Sequence, residues 1–380
     1  MKKYDCVVVG AGPAGATAAY ELVRNGLEVI LLEAERLPRN KTCGGCLSAR
    51  VNRLLDFDLS EVAEDEIHQG RFTYKFHGGF EVNSDRPAAY MINRDKFDYD
   101  LVKRAIQRGA VVLDKRRVAR IDIEKTDLKV WADNRAYQAR IVIGADGTRG
   151  IVAKSVGIRK VKTDFGLTIS TQFRPSAQQL AEHQGMVHLD FGVVRFGYGW
   201  IFPKGDHLSV GVASWREKGK LLQASFDKIR AVAQKDHNPA KPQSFNATKI
   251  TPGGTVLPRY HKRKYGKEKV VLVGDAAGLV DPFLGEGIYY AIKSGQMAAQ
   301  AVKESLKTNK SLQSVYEELL ERELLIELDA AATLAGRFYR HPFILYNLLR
   351  KSKNLQNVCL DLMLGEANYQ ELNSRFQALP

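Results

Sequence analysis

A chain of 380 residues that is 44% hydrophobic and 26% charged has the make-up of a globular protein with a real core, arranged as one large or two intertwined domains. Its formal net charge of +14 suits an anionic membrane face, an acidic protein, a phosphorylated substrate or simply a solvated basic surface; nucleic acid is disfavoured, because no basic recognition helix or aromatic-interleaved RNA motif stands out. Four cysteines (Cys6, Cys43, Cys46 and Cys359) are too few for a disulfide framework, and no apolar stretch reaches the roughly eighteen residues of a membrane-spanning helix, so a reducing, cytoplasmic setting with no targeting segment is expected.

Tyr4–Val9 reads as a short apolar strand, and Gly10-Ala11-Gly12-Pro13-Ala14-Gly15 follows at once, ahead of an Ala-rich helical run over Ala16–Asn25. A second strand over Glu28–Leu32 ends at Glu33, eighteen residues past Gly15. Strand, glycine turn, helix, strand and acid at this spacing point to a dinucleotide-binding unit. Gly10 admits the tight turn, Gly12 lets the backbone approach a pyrophosphate, and Gly15 lets the helix pack closely on the sheet. The helix N-terminus offers unpaired N–H groups and positive dipole to phosphates, and Glu33 is placed to accept hydrogen bonds from ribose hydroxyls. The motif alone does not choose between NAD and FAD, and a glycine loop in a nucleotide-free α/β domain is the plain alternative.

Arg36–Ser48 is basic, glycine-bearing and non-periodic, hence a loop. Its Cys43-Gly44-Gly45-Cys46 has too few companion ligands for zinc, and no metal is expected. It is either a redox pair near Lys41 or a tight glycine turn lining a cofactor. Ala49–Leu55 looks helical and Glu61–Glu66 acidic and exposed. Arg71–Val82 alternates aromatic and polar residues, as strands around a Gly78-Gly79 turn would. Tyr90–Ile92 is another strand, after which Asn93-Arg94-Asp95 caps a helix over Lys96–Arg108. Arg94 suits a phosphate or carboxamide, or is a surface arginine. Val111–Leu113, Arg117–Ile123, Leu128–Trp131 and Ala139–Ile143 are strand-like. The last ends in Gly144-Ala145-Asp146-Gly147, an acid at the carboxyl edge of a sheet that either faces a cofactor or merely closes a turn.

Leu167–Phe173, Met186–Asp190, Trp200–Phe202 and Leu208–Ala213 are strands without a βαβ rhythm, which predicts an antiparallel sheet forming a pocket wall. Tyr198, Trp200 and Phe202 stand at period two, so all three face one side; the stripe either walls an apolar channel or packs a core. Val270–Val273 is a buried strand leading into Gly274-Asp275-Ala276-Ala277-Gly278, and a long helix is predicted from near Glu286 to Lys307. The remainder is helical. Within it, Arg337–Lys353 has basic ends around Phe343, Ile344, Leu345, Tyr346, Leu348 and Leu349, so it either lies in a lipid headgroup region or packs over the C-terminal core.

Gly10-x-Gly12-x-x-Gly15 with Glu33, Gly144-Ala145-Asp146-Gly147 and Gly274-Asp275-Ala276-Ala277-Gly278 occur together and in this order. The trio resembles the FAD-dependent oxidoreductases of the glutathione-reductase type, aromatic hydroxylase branch. Lys41-Thr42-Cys43-Gly44-Gly45 and Tyr198-x-Trp200-x-Phe202-Pro203 narrow it: both look like the geranylgeranyl reductase family, which saturates isolated double bonds of prenyl chains. The similarity runs from Met1 to about Ala301.

The resemblance implies a Rossmann-like FAD-binding α/β domain (1–70, 94–160 and 250–305), an intertwined antiparallel substrate domain (71–93 and 161–249) and a C-terminal helical region (306–380). Around FAD it implies Gly10, Gly12, Ala14, Gly15 and Glu33 at the ADP half and Cys43, Gly44 and Cys46 near the isoalloxazine. It puts Arg94, Val118 and Asp146 in the cleft, and Asp275, Gly285, Gly287 and Ile288 at the ribityl-phosphate and flavin. Tyr198, Trp200, Phe202 and Pro203 would line a prenyl tunnel, with Cys43, Tyr198 and Trp200 nearest the chemistry and the proton donor left open between Tyr198 and a thiol. Two departures stand out: Cys46 replaces a small residue, and Gly150 stands where hydroxylases often carry serine. With one dinucleotide fingerprint, the electrons would come from visiting NADPH or a reduced ferredoxin on the basic surface. A flavin monooxygenase or halogenase and a non-catalytic electron-relay flavoprotein are the competing readings, and a peripheral membrane contact is expected.

Overall fold

The computed structural model of the chain describes residues 2–124, 127–158, 165–217, 219–234, 248–255 and 264–377. Apolar runs with no polar alternation, as strands covered on both faces require, make the buried Cys6–Val9 end of β1 (Lys3–Val9) and all of β2 (Val29–Leu32), the two joined by α1 (Pro13–Arg24). The chain continues through β3 (Cys46–Ser48), β4 (Asp65–Ile67), β5 (Gln69–Tyr74), β6 (His77–Asn83), β7 (Ala89–Met91), α2 (Arg94–Gln107), β8 (Val111–Leu113), β9 (Val118–Ile123), β10 (Leu128–Ala132) and β11 (Arg135–Gly144). Then come α3 (Val152–Ser155), β12 (Phe165–Phe173), α4 (Ala177–His183), β13 (Met186–Phe191), β14 (Gly197–Lys204), β15 (His207–Ser214), α5 (Gly219–Gln234) and β16 (Thr248–Thr255). The rest is β17 (Gly266–Lys267), β18 (Val270–Leu272), α6 (Gly274–Ala277), α7 (Ile288–Thr308), α8 (Leu312–Leu320), α9 (Ile326–Phe338), α10 (Pro342–Lys351), α11 (Lys353–Leu364) and α12 (Tyr369–Gln377).

Strands β18, β11, β1, β2 and β8 lie side by side in parallel, with β17 antiparallel at one edge and the β9–β10 hairpin folded back from β11. On this sheet α1 packs between α2 and α7. The approach is close enough to require glycine: a Cβ on Gly15 would stand 1.9 Å from the Gly10 carbonyl oxygen, and one on Gly295 of α7 would stand 2.5 Å from that of Ala14. The resulting α/β layer is the expected fold class.

The second sheet runs β16–β12–β15–β14–β13–β5–β6. It is antiparallel except between β5 and β13, which pair in parallel, so the all-antiparallel expectation is corrected at that pair. One face is closed by α5, whose Leu222, Phe226 and Ile229 pack on Ile201, Val210 and Val212. The other carries the period-two aromatic stripe. A small third sheet, β3–β7–β4, sits at the rim, and α9, α11 and α12 gather Phe338, Leu355, Leu362 and Leu372 into a separate core with Phe283.

Several boundaries move. Cys46–Ser48 and Asp65–Ile67 are strands where a loop and an exposed acidic stretch were expected, because both pair with β7. Asn93 precedes α2 without a side-chain cap, and α7 begins two residues after Glu286. The β5–β6 turn is Lys75-Phe76, with φ of 50° and 64°, and the glycines at 78 and 79 lie inside β6. Two consecutive positive φ values suit the twist of a two-residue hairpin, but neither residue favours them. Asp190 supplies the compensation: fully buried, its Oδ2 accepts from the Phe76 N–H at 2.6 Å and the Thr73 hydroxyl at 2.6 Å, and its Oδ1 accepts from the Val193 N–H at 3.0 Å.

Asp190→Ala strips partners from the buried Val193 N–H, the half-buried Phe76 N–H and the Thr73 hydroxyl, and is expected to cost roughly 2–4 kcal/mol. Chemical denaturation of the two proteins, with midpoints and slopes compared, measures this; an unchanged midpoint would refute the tie between Asp190 and the turn.

Candidate active site

The N-terminus of α1 opens onto a cleft of ≈ 400 Å³ bounded by Gly10, Gly12, Glu33, Arg39, Val118, Asp146 and Gly147. Gly12 caps α1 without a side-chain bond, leaving the first-turn N–H groups for an anion. Glu33, only 6% exposed, accepts from the Ala11 N–H at 2.8 Å and the Glu35 N–H at 3.0 Å, and Arg39 Nε lies 3.3 Å away. Arg39 also reaches Asp98 at 3.1 Å, so one guanidinium clamps the acid of the fingerprint to α2. Asp146 accepts from the Val152 N–H at 2.9 Å, anchoring the turn after β11.

This cleft is continuous with a second chamber of ≈ 200 Å³, the two sharing Gly12, Lys41, Thr42, Ala145, Gly147 and Thr168. Its walls include Ala14, Arg94, Trp200, Trp215, Asp275 and Ile288, with Lys41 Nζ 3.6 Å from the Asp275 carboxylate. A two-part cleft with a bare helix N-terminus at the bend, an acid at one end and an aromatic, cation-bearing chamber at the other fits a dinucleotide carrying a planar ring system, as FAD does.

Beyond the second chamber lies an apolar cavity of ≈ 250 Å³ lined by Phe72, Phe80, Leu189, Phe191, Phe338 and Met363 among others. The two meet at Cys43, Gly44, Tyr198, Phe202, Gly285, Gly287 and Ile288. The loop bearing the last glycines is fastened by Asp281, whose carboxylate accepts from the Phe283 N–H at 2.7 Å and the Tyr369 hydroxyl at 2.6 Å. Burial pushes this carboxyl up to about 6.

At the junction, Cys43 Sγ accepts from the Gly45 N–H at 3.3 Å. Arg94 is not a surface arginine. It is 7% exposed, and its Nε and one terminal nitrogen each donate to Asp98 at 2.8 Å. Burial opposes its charge, but Asp98 outweighs burial and holds it protonated. Behind the turn stands a second cation, Lys204. It follows Tyr198, Trp200 and Phe202 at period two on β14, is 2% exposed, and its Nζ occupies the space a Cβ on Gly45 would need. Burial lowers its pKa from the ordinary 10.5, opposed by the neighbouring thiols and Glu64.

The stripe divides its work. Tyr198 and Phe202 border both chambers, whereas Trp200 borders only the cofactor side, its indole N–H donating to Ser209 Oγ at 3.3 Å. Pro203 lines neither, because the alternation of β14 turns it to the opposite face, opposite Leu208. Cys46 borders only the apolar cavity, not the flavin side, and burial pushes its thiol up to about 12. The Tyr198 hydroxyl donates to the Leu284 carbonyl at 2.5 Å, and burial raises its pKa, so it is a poor proton donor. Sequence reading missed Lys204, although its register with the stripe was visible, and missed the cavity walls from α9, α11 and α12, for which helical periodicity gives a face but no partner.

The FAD binding domain family matches residues 3–321. The geranylgeranyl diphosphate reductase of Rhodobacter capsulatus is 32% identical over 323 residues, 81% of this chain and 77% of that one. The digeranylgeranylglycerophospholipid reductase 1 of Methanopyrus kandleri is 28% identical, over 88% of this chain and 90% of its own. A crystal structure of a geranylgeranyl bacteriochlorophyll reductase-like protein from Thermoplasma acidophilum superposes with a TM-score of 0.77 at 23% identity, covering 99% of this chain and 96% of that one. Given the two-part cleft, the apolar cavity against it and these relatives, the chain belongs to the FAD-dependent oxidoreductases, within the geranylgeranyl reductase family.

Proposed function

We propose that this enzyme saturates isolated carbon–carbon double bonds of a prenyl chain bound in the apolar cavity. The observation that carries the reading is that cavity and cofactor cleft share one wall, at Cys43, Gly44, Tyr198, Phe202 and Gly285–Ile288. Reduced FAD, when bound, supplies hydride; an unactivated alkene also needs a proton at its other carbon. Within this reading Glu33, Arg39 and the α1 N-terminus hold the ADP half, Val118 and Asp146 border it, and Asp275, Gly287 and Ile288 border the ribityl and ring portions. Tyr198 and Phe202 present ring faces to the alkene, which favour developing positive charge there. Cys43 is the proton-bearing group best placed at the junction, its Sγ giving up a proton beside two buried cations, Arg94 and Lys204. NADPH or a reduced ferredoxin brings electrons past the basic rim of Arg116, Arg117 and Arg149. In this assignment segments 1–70, 94–160 and 250–305 hold the cofactor, 71–93 and 161–249 wall the substrate, and 306–380 completes that wall.

The deciding experiment is anaerobic reduction of the bound flavin followed by mass spectrometry of prenyl diphosphates, prenyl ether lipids and prenylated chlorophyll precursors. A gain of about two mass units per reduced bond is expected. No gain with any of them, or oxygen consumption in step with substrate, would instead favour the halogenase or monooxygenase reading.

The thiols separate in the same assay. Cys43→Ala is expected to lower turnover by roughly 10²-fold or more, the scale of a lost general acid, with the flavin spectrum intact. Cys46→Gly should retain most activity; equal losses would instead indicate a dithiol relay.

Lys204→Met tests the second cation. An ammonium whose folded pKa lies below 10.5 costs stability while charged in the fold, and that cost disappears as pH rises through the lowered value towards 10.5. The Met variant is therefore expected to melt higher than wild type near neutral pH, with the gap shrinking as pH rises, while turnover falls. A variant that melts lower at every pH would show that Lys204 is a packing residue.

A further inference from the structure

Helix α10 has two unlike faces. Tyr346 and Leu349 are buried, whereas Phe343 and Ile344 are 60% and 58% exposed. The remaining exposed positions of the helix are Arg350 and Lys351, and Arg340, His341 and Lys353 flank it, also exposed. No Asp or Glu occurs between Arg337 and Lys353. Phe343 leans edge-on against Tyr74 at the end of β5, with ring centroids 5.4 Å apart, and the exposed Lys75 of the hairpin turn lies 5.6 Å over the same Tyr74 ring. Two protruding apolar side chains thus sit in a field of like-signed charge built from two separate elements.

The inner face of the same helix belongs to the apolar cavity. Leu349 lines it, and the Tyr346 hydroxyl donates to the carbonyls of Phe72 at 3.0 Å and Gly78 at 2.7 Å, fastening α10 to the hairpin whose Phe72 and Phe80 line it too. One helix thickness therefore separates the outer patch from the space proposed for the prenyl chain.

We infer that this patch docks the protein on the surface of an anionic phospholipid bilayer, with α10 lying in the headgroup layer. Phe343 and Ile344 enter the acyl boundary, and Lys75, Arg340, Arg350, Lys351 and Lys353 meet the lipid phosphates. Charge complementarity selects the occupant: an apolar tip flanked by Lys75, Arg340, Arg350, Lys351 and Lys353, with no acid between Arg337 and Lys353, matches a surface that is negative above and hydrocarbon below. Among the described residues no helix is long and apolar enough to cross the membrane, so the contact is peripheral. Delivery of a lipid tail around α10 rests on the prenyl reading; docking does not.

The test is co-sedimentation of the flavin-loaded protein with substrate-free vesicles of phosphatidylcholine, alone or mixed equally with phosphatidylglycerol. Binding is expected to the mixed vesicles at low salt, to weaken at high salt, and to fall about tenfold or more in Phe343→Ser/Ile344→Ser, which removes two exposed apolar anchors. Arg350→Ser/Lys351→Ser/Lys353→Ser should abolish the preference for anionic vesicles. Unchanged flavin content and circular dichroism show that the variants fold, and turnover of a short, soluble prenyl substrate should be unaffected in the first variant. Wild type that ignores anionic vesicles at low salt, or a double variant that binds as wild type does, overturns the inference. So does a patch that captures an acidic ferredoxin while vesicles stay unbound. Because the vesicles carry no substrate, these results stand whether or not prenyl turnover is found.

Discussion

The architecture depends on how closely α1 can be pressed between the sheet and α7. Gly15 stands against the Gly10 carbonyl and Gly295 against that of Ala14, both nearer than any Cβ could approach. That pressure fixes where the bare N-terminus of α1 points, and so fixes the bend of the cleft. Hydrophobic burial supplies the force, with Cys6–Val9 and Ile30–Leu32 almost wholly withdrawn from solvent, but backbone against backbone sets the distance. Fold and ligand geometry here are one constraint.

A second constraint is electrostatic. Beside the junction between cleft and cavity stand two buried basic side chains, Arg94, paired with Asp98, and Lys204, whose neighbours are the Cys43 and Cys46 thiols and Glu64. Beside the loop of Gly285 and Gly287, Arg50 is held between Glu286 and Glu327 at 5% side-chain exposure, with Tyr289 and Tyr290 over its guanidinium. Arg50 is fully paired and acts as a clasp between the rim and α7. Lys204 carries no such pairing and costs stability while charged, and buried groups of that kind concentrate where chemistry is done.

The parts legible in the sequence were those written in local spacing. The glycine fingerprint, Glu33, the two acid-bearing turns at Asp146 and Asp275 and the period-two stripe each need only a few consecutive residues and a repeat distance, and the structure gathers them along one cleft. What was not legible depended on partners far along the chain. The β5–β6 turn falls on Lys75-Phe76 because Asp190 holds it from another strand, overriding the local preference of the glycines at 78 and 79. Cys46–Ser48 is a strand only because Ala89–Met91 lies beside it. Trp200 parted from Tyr198 and Phe202 because a shared face of a strand can border two spaces at once.

The wall common to both chambers makes them thermodynamically one system. Cys43, Gly44, Tyr198, Phe202, Gly285, Gly287 and Ile288 cannot adjust to an occupant on one side without altering the shape offered on the other. Any free energy by which a filled cavity tightens the hold on the dinucleotide must be returned in full as tighter retention of the cavity's occupant by the loaded protein, since such coupling is reciprocal. An occupant of the cavity is then also a plug: while it fills the space, water is kept from the wall shared with the cofactor cleft, and each partial withdrawal admits solvent.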